Sequence, residues 1–323
     1  MTAVTYCDYG SPDVLQLGAV EKPVPSDSQL LVRVRAAALN PLDWHYLRGT
    51  PYLARIEMGL RKPKNVRLGV DFAGTVESVG RSVTRFKPGD EVFGGRTGAL
   101  AEYLTIRESG SVVLKPAHLT FEQAAAVPVA AITALQGLRD RGRLQSGQAV
   151  LINGASGGVG TFAVQIAKSF GATVTGVTST RNVELVRSIG ADHVVDYTKE
   201  NFTTGTQRYD VIIDNVGNHS LSAFRRVAAP GGKYVIIGGP SGRWVDPLPR
   251  ALGASLLSLF VSQELGFFVS DLNQKDLTVL GDLMAGGKVT PVIDRRYPLA
   301  EVREAIRYLE TGRARGKVVI TID

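Results

Sequence analysis

Cysteine is almost missing from this chain: Cys7 is the only one in 323 residues. An internal disulfide and a multi-cysteine zinc site are thereby excluded, and a reducing, cytoplasmic setting is expected. Histidine is scarce too, and His45, His118, His193 and His219 show no metal-ligand spacing. No apolar run reaches the roughly eighteen residues of a membrane span. The opening MTAVTYCDYG lacks the basic and apolar regions of a signal peptide. Aromatic residues are 7% of the chain and never interleave with a basic stripe. The net charge of +7 therefore reads as solvated surface with some attraction for a polyanionic small ligand, and no nucleic acid partner is expected. The longest basic cluster is only Arg61-Lys62-Pro63-Lys64. No repeat or low-complexity tract occurs.

What is present is an ordinary globular composition, 44% hydrophobic and 21% charged, long enough for two domains. The most informative stretch is AVLINGASGGVG, residues 149–160. Four apolar residues, Ala149 to Ile152, read as a buried parallel strand, and the glycines after them as a tight turn. Phe162, Ala163, Ile166 and Ala167 then recur at helical spacing. Strand, glycine turn and helix N-terminus in that order make a pyrophosphate site, since unpaired amides and the helix dipole both favour negative charge. Ser156, Gly157, Gly158 and Val159 are the residues expected to meet it. The register departs from G-x-G-x-x-G in one place, where Ala155 replaces the first glycine.

Residues 1 to about 120 read as antiparallel strands with Gly/Pro punctuation, as at 30–36, 72–80, 91–94 and 100–106, which suggests a compact barrel-like fold. From Thr120 the chain turns alanine-rich and helical. Beyond the glycine turn, strand candidates at 173–177, 193–196, 210–214 and 233–237 alternate with helical intervals at 182–189 and 220–228, which specifies a doubly wound parallel sheet. The tail carries a helix at 272–285, a strand at 289–293, a helix at 299–310 and a last strand at 317–322. It is expected to return to the first domain.

In NAD-binding folds an acid ends the second strand and binds the ribose 2′-hydroxyl. Here Thr178-Ser179-Thr180-Arg181-Asn182 stands in that place. Arg181 can pair with a 2′-phosphate and Ser179 and Thr180 can donate to it, so NADPH is expected over NADH. Capping of the next helix by Thr180 is a second reading of the same residues.

Asn40-Pro41-x-Asp43, Gly69-Val70-Asp71-Phe72-Ala73-Gly74-x-Val76, Lys87-Pro88-Gly89-Asp90-x-Val92, Thr133-Ala134-Leu135 and the glycine stretch follow one another in order. So arranged, the sequence resembles the medium-chain dehydrogenase/reductase superfamily over nearly its whole length, and within it the zinc-free quinone oxidoreductase branch. Zinc-dependent relatives place a cysteine near Leu39-Asn40 and Gly-His-Glu where this chain has Gly69-Val70-Asp71. The resemblance implies an α/β protein: a GroES-like β-barrel catalytic domain, residues 1–124 and 265–323, and a Rossmann nucleotide-binding domain, residues 125–264. It further implies hydride transfer from NADPH to a quinone or α,β-unsaturated carbonyl, without a metal, in a homodimer.

The resemblance also marks site residues. Asn40 occupies a polar position facing nicotinamide and acceptor, where its amide can donate; a plain turn residue before Pro41 is an equal reading. Tyr46 and Tyr52 match the two tyrosines of quinone reductases. In enoyl-thioester reductases the tyrosine comes two residues after the matching glycine, a place held here by Pro51, so Tyr52 is expected to stack or position more than to donate a proton. Thr133, Tyr197, Val216, Gly238, Phe260 and Val261 complete the cofactor set. Lys168 reads as helix surface or as a charge near phosphate. Asp71 reads as an interior structural acid. The apolar stretch 252–268 reads as cleft lining or dimer contact. Two other functions fit the same pattern: an enoyl-thioester reductase, and an idle NADPH-sensing or RNA-binding protein.

Overall fold

Alternation in the first third of the sequence becomes a strand ladder in the computed structural model, which describes residues 1–238 and 262–323. The chain divides into two units, Met1–Ile132 with Leu272–Gly287 and Pro291–Asp323, and Thr133–Asp271 with Lys288–Thr290. In the first unit lie β1 (Thr2–Thr5), β2 (Gln16–Ala19), β3 (Gln29–Leu39), β4 (Asp71–Val79), β5 (Glu91–Gly95), β6 (Tyr103–Arg107) and β7 (Val112–Leu114). The second unit holds β8 (Ala149–Asn153), β9 (Thr173–Thr178), β10 (His193–Asp196), β11 (Tyr209–Asp214), β12 (Ala228–Ile236) and β13 (Glu264–Phe267). The chain then returns to the first unit with β14 (Ile293–Pro298) and β15 (Lys317–Thr321).

The long strand β3 organises the first unit. Its Val32 and Val34 face inward with Phe72 and Val76 of β4, Val92 of β5, Leu104 of β6 and Val318 and Ile320 of β15. Each such side chain, fully buried, contributes roughly 1.5–3 kcal/mol. The sheet order is β14-β15-β3-β4-β5-β7, with β6 also on β3. The helix Val302–Glu310 adds Val302, Ala305 and Ile306 to that core, the i, i+3, i+4 face of an amphipathic helix. At one point three strand ends meet: Ala38 of β3 pairs with Asp71 of β4, and Leu39 with Val318 of β15.

In the second unit all pairings are parallel and the order is β10-β9-β8-β11-β12-β13. This is the doubly wound arrangement expected from the βα alternation, with the reversal of winding between β8 and β11. The GroES-like and Rossmann classes implied by the sequence are both present.

Some elements lie elsewhere than their sequence signals. The strand expected at 289–293 is β14, Ile293–Pro298. Pro291 lacks the amide that a ladder needs, so pairing starts only beyond it. The helix expected to open at Thr161 opens at Gly158, taking two glycines of the turn into its first turn. The helix Pro41–Arg48 and strands β2, β7 and β13 carried no clear periodic signal. Of the apolar stretch 252–268, residues 252–261 lie outside the described residues, and Glu264–Phe267 form β13. No described helix is long and apolar enough to cross a membrane.

Candidate active site

The strand β8 ends at Asn153, and Gly154 follows with φ +80, a left-handed conformation that glycine adopts without strain. The helix Gly158–Ser169 packs on β8 and β9. It approaches the turn so closely that a Cβ on Gly160 would stand 2.1 Å from the Gly154 carbonyl oxygen. Gly157 is the N-cap, extended at φ −83 and ψ 179, and no side chain caps the helix. A Cβ on Gly157 would meet nothing nearer than that carbonyl, at 3.5 Å. The turn is thus closed on its inner side and open at Gly157. Ser156 is buried, and its Oγ accepts from Thr178 Oγ1 at 2.8 Å and Asn182 Nδ2 at 3.0 Å. Its own proton is left to donate.

At the end of β9, Ser179 is half-buried and Thr180 and Arg181 are exposed. Thr180 Oγ1 donates to Asp196 Oδ2 at 2.6 Å. That bond from Thr180, with those from Thr198, brings the Asp196 carboxyl down to about 2. Asp196 belongs to β10, so its approach to this loop is invisible to local sequence reading. The Thr180 hydroxyl proton is therefore already engaged within the protein. Tyr197, next in the chain, is 55% exposed.

At the end of β11 a buried carboxylate gathers the backbone. Asp214 Oδ1 accepts from the amides of Val216 and Gly217 at 3.1 and 2.9 Å and from Asn153 Nδ2 at 2.8 Å. Its Oδ2 accepts from Tyr234 Oη at 2.5 Å. Gly238 donates to the Asp214 carbonyl at 3.1 Å, which fixes the exit of β12. Register places Asn153, Val177, Asp214 and Ile236 side by side, so these carboxyl ends form one edge at the winding reversal. Two buried oxygens on it, Asn182 Oδ1 and Asn215 Oδ1, accept no hydrogen bond among the described residues. Thr133 lies in the same unit and its Oγ1 donates to Ser270 Oγ at 2.9 Å. Lys168 pairs with Asp192 at 2.8 Å, a surface role. Phe260 and Val261 lie outside the described residues.

In the first unit, Asn40 is the N-cap of the helix Pro41–Arg48, with Pro41 as its first residue. Asn40 is 3% exposed. Its backbone amide donates to Asp43 Oδ2 at 2.7 Å and its Nδ2 to Asp71 Oδ2 at 2.9 Å. Lys317 Nζ, from the start of β15, donates to Asn40 Oδ1 at 2.5 Å and to Asp71 Oδ2 at 3.3 Å. The amide of Val129, in the first turn of the helix Pro128–Gln136, donates to Asp71 Oδ1 at 3.0 Å. Lys317, Asp71 and Asp43 are all buried. Burial raises the carboxyl of Asp71, and the Lys317 ammonium opposes that shift. Burial pushes the Asp43 carboxyl up to about 7, against the backbone amides of Asn40 and Gly69 that favour its charged form. From sequence Asn40 reads as an amide donor or a turn residue; both its place as N-cap and its partner Lys317, 277 residues away, were missed.

Tyr46 packs partly buried against the barrel core, and burial raises its hydroxyl above the ordinary range. Tyr52 opens a short turn of 3-10 helix, Tyr52–Ala54. Arg55 lies over the rings of both Tyr9 and Tyr52 and donates to the Gly49 and Arg48 carbonyls at 2.8 and 3.2 Å. His45 Nδ1 bonds the Thr50 carbonyl at 3.0 Å, which ties down the other end of this loop. Among the described residues no three His, Cys, Asp or Glu side chains group as metal ligands.

Residues 26–117 match the model of an alcohol dehydrogenase GroES-like domain, and residues 189–320 that of a zinc-binding dehydrogenase. The chain is 39% identical to a 2-methylene-furan-3-one reductase of Solanum lycopersicum, over 99% of its own length and 79% of the relative's. It is 36% identical to a chloroplastic NADPH-dependent alkenal/one oxidoreductase of Arabidopsis thaliana, with the same coverage. The structure of a quinone oxidoreductase from Coxiella burnetii superposes with a TM-score of 0.87 at 29% identity, covering 100% of this chain and 99% of that one. With identity of this level along its whole length, and both folds present, the chain belongs to the medium-chain dehydrogenase/reductase superfamily, among the quinone and alkenal/one oxidoreductases.

Proposed function

We propose that the protein is an NADPH-dependent reductase of enones and quinones that works without zinc. The observation carrying the cofactor is the edge at the winding reversal, with a glycine turn open at Gly157, an uncapped helix start and the orphaned Asn182 and Asn215 oxygens. These residues fit a dinucleotide. The amides of Gly157, Gly158 and Val159, with the Ser156 hydroxyl, hold the pyrophosphate. Arg181 and Ser179 meet the 2′-phosphate, Tyr197 lies against the adenine, and Thr133, Val216, Gly238, Phe260 and Val261 hold the nicotinamide half. When bound, NADPH supplies a hydride to the β-carbon of the acceptor or to the quinone ring.

The chain's own part is to orient the acceptor and stabilise its oxygen as charge develops there. Asn40 donates an amide N–H to that oxygen, and Tyr46 and Tyr52 hold the planar acceptor. The α-carbon of the enolate takes its proton from water or a phenol, which completes addition of two hydrogens across the double bond. Zinc is dispensable in this reading because an enone or quinone is already activated toward hydride, whereas an alcohol needs a Lewis acid to stabilise its alkoxide. A cytoplasmic homodimer belongs to the same reading; among the described residues β13 stands at the end of its sheet with one partner strand.

The reading is tested by following NADPH consumption with a small quinone, an alkyl enone and an enoyl-thioester, each with and without the protein. Acceleration with the first two supports it, and acceleration with the thioester alone replaces it by an enoyl-thioester reductase. Stoichiometric zinc by elemental analysis, lost with activity on chelation, would sink the zinc-free part.

A further inference from the structure

An asparagine amide can stand either way round, and only its partners decide which. At Asn40 they decide completely. Turned over, its Nδ2 would face the Lys317 ammonium and its Oδ1 the Asp71 carboxylate, two repulsions inside a buried cluster. As it stands, Oδ1 accepts from the ammonium and Nδ2 donates to the carboxylate. The other Asp71 oxygen is held by the Val129 amide, and the Asn40 backbone by Asp43. Both charges are buried, Lys317 at 2% exposure and Asp71 at 0%. A buried ion pair is often no more stabilising than apolar residues of the same volume, so stability alone is a weak reason for this one.

We propose that Lys317 is a positioning residue of the reaction: with Asp71 it locks the Asn40 amide, leaving one Nδ2–H to meet the acceptor oxygen. This rests on the enone and quinone reductase reading. The ammonium on Oδ1 draws electron density from the amide and makes that N–H a better donor, as in any chain of hydrogen bonds. Topology serves the device, since β3, β4 and β15 bring Asn40, Asp71 and Lys317 to one corner from three distant parts of the chain.

The test separates positioning from folding. Lys317→Met leaves Asp71 buried and uncompensated and should destabilise the protein, whereas Lys317→Met with Asp71→Asn removes both charges and should recover the melting temperature. In that double variant kcat/KM for an alkyl enone should still fall about tenfold to a hundredfold, the usual effect of a misplaced group, with NADPH affinity by fluorescence titration unchanged. In an Asn40→Ala background the same pair of changes should add no further loss, because Lys317 acts through Asn40. Full recovery of kcat/KM with the melting temperature, or full additivity with Asn40→Ala, overturns the proposal.

A readout independent of turnover is the Asn40 side-chain NH₂ signal in nitrogen-15 NMR, assigned by its loss in Asn40→Asp. It should be slow to exchange in the wild type and lose that protection in the double variant; an unchanged signal also overturns the proposal. If the wild type reduces neither enone nor quinone, the functional reading falls, while this signal still decides whether Lys317 orders the amide.

Discussion

The guanidinium of Arg55 stands 4.7 Å from the centre of the Tyr52 ring while its Nε donates to the Gly49 carbonyl. The ring is thus held against a cation that is itself anchored to the backbone. Such a contact is worth about 0.5–1 kcal/mol at a partly exposed site. Tyr52 is placed by its ring face, and the mutational behaviour of the loop follows from that.

Tyr52→Phe should keep most of the turnover, because the ring and its cation remain. Tyr52→Ala should raise KM for the acceptor, and Arg55→Met should raise it in the wild type but not in the Tyr52→Ala background. Steady-state kinetics at saturating NADPH checks all three. A fall in kcat of about a hundredfold for the Phe variant would make Tyr52 the general acid.

Arg181→Ala should erode the preference for NADPH over NADH by roughly ten- to a hundredfold, the weight of one charge-assisted phosphate contact. Thr180→Ala should change that preference much less, since its proton is bonded to Asp196. Equal losses for both cofactors with Arg181→Ala would assign the arginine elsewhere.

Two glycines of one turn should respond oppositely to alanine. Gly160→Ala forces a Cβ against a backbone oxygen at 2.1 Å and should lower the melting temperature sharply. Gly157→Ala has an extended backbone and room for the methyl, so folding should be unchanged while NADPH affinity drops. Unchanged affinity would place the pyrophosphate away from Gly157.

Asp43 gives stability a pH dependence of defined sign. Its carboxyl stands at about 7 in the folded chain against 3.8 ordinarily, so the folded state holds this proton more tightly. Below about pH 4 both states are protonated, and from there to about 7 only the unfolded chain loses the proton, so stability falls as pH rises. Asp43→Asn can still accept from the Asn40 amide and should gain on the wild type across that window, on the order of a few kcal/mol. Melting curves of both proteins at several pH values check it, and a constant difference would show that Asp43 is charged throughout.

The nucleotide unit was legible because its signals are local. Apolar runs such as Val150 to Ile152 are buried on both faces, and Gly154 and Gly160 are demanded by a turn within a few residues of each. The site was legible only as far as locality reached. Asn40 reads as a polar position beside Pro41, but its amide takes its orientation from Asp71 and Lys317, and the Thr180 hydroxyl donates its hydrogen bond to Asp196 on another strand. Contacts of that kind depend on sheet order, which residue spacing does not encode. The displaced strand at 293–298 has a simpler cause: polar Asp294, Arg295 and Arg296 mask its alternation and Pro291 delays its start.

One consequence follows from the position of β15 between β3 and β14. A ribosome makes β3 before the nucleotide unit, yet Val318, which pairs with Leu39, emerges only after it. Until then the Ala36–Leu39 end of β3 lacks its neighbour on one side, and Asp71 lies without the ammonium that accompanies its burial. The nucleotide unit, encoded almost entirely in between, can close while the barrel still waits. Exposed strand edges of that kind invite association with other chains, so nascent and C-terminally shortened forms are where chaperone dependence and aggregation should concentrate.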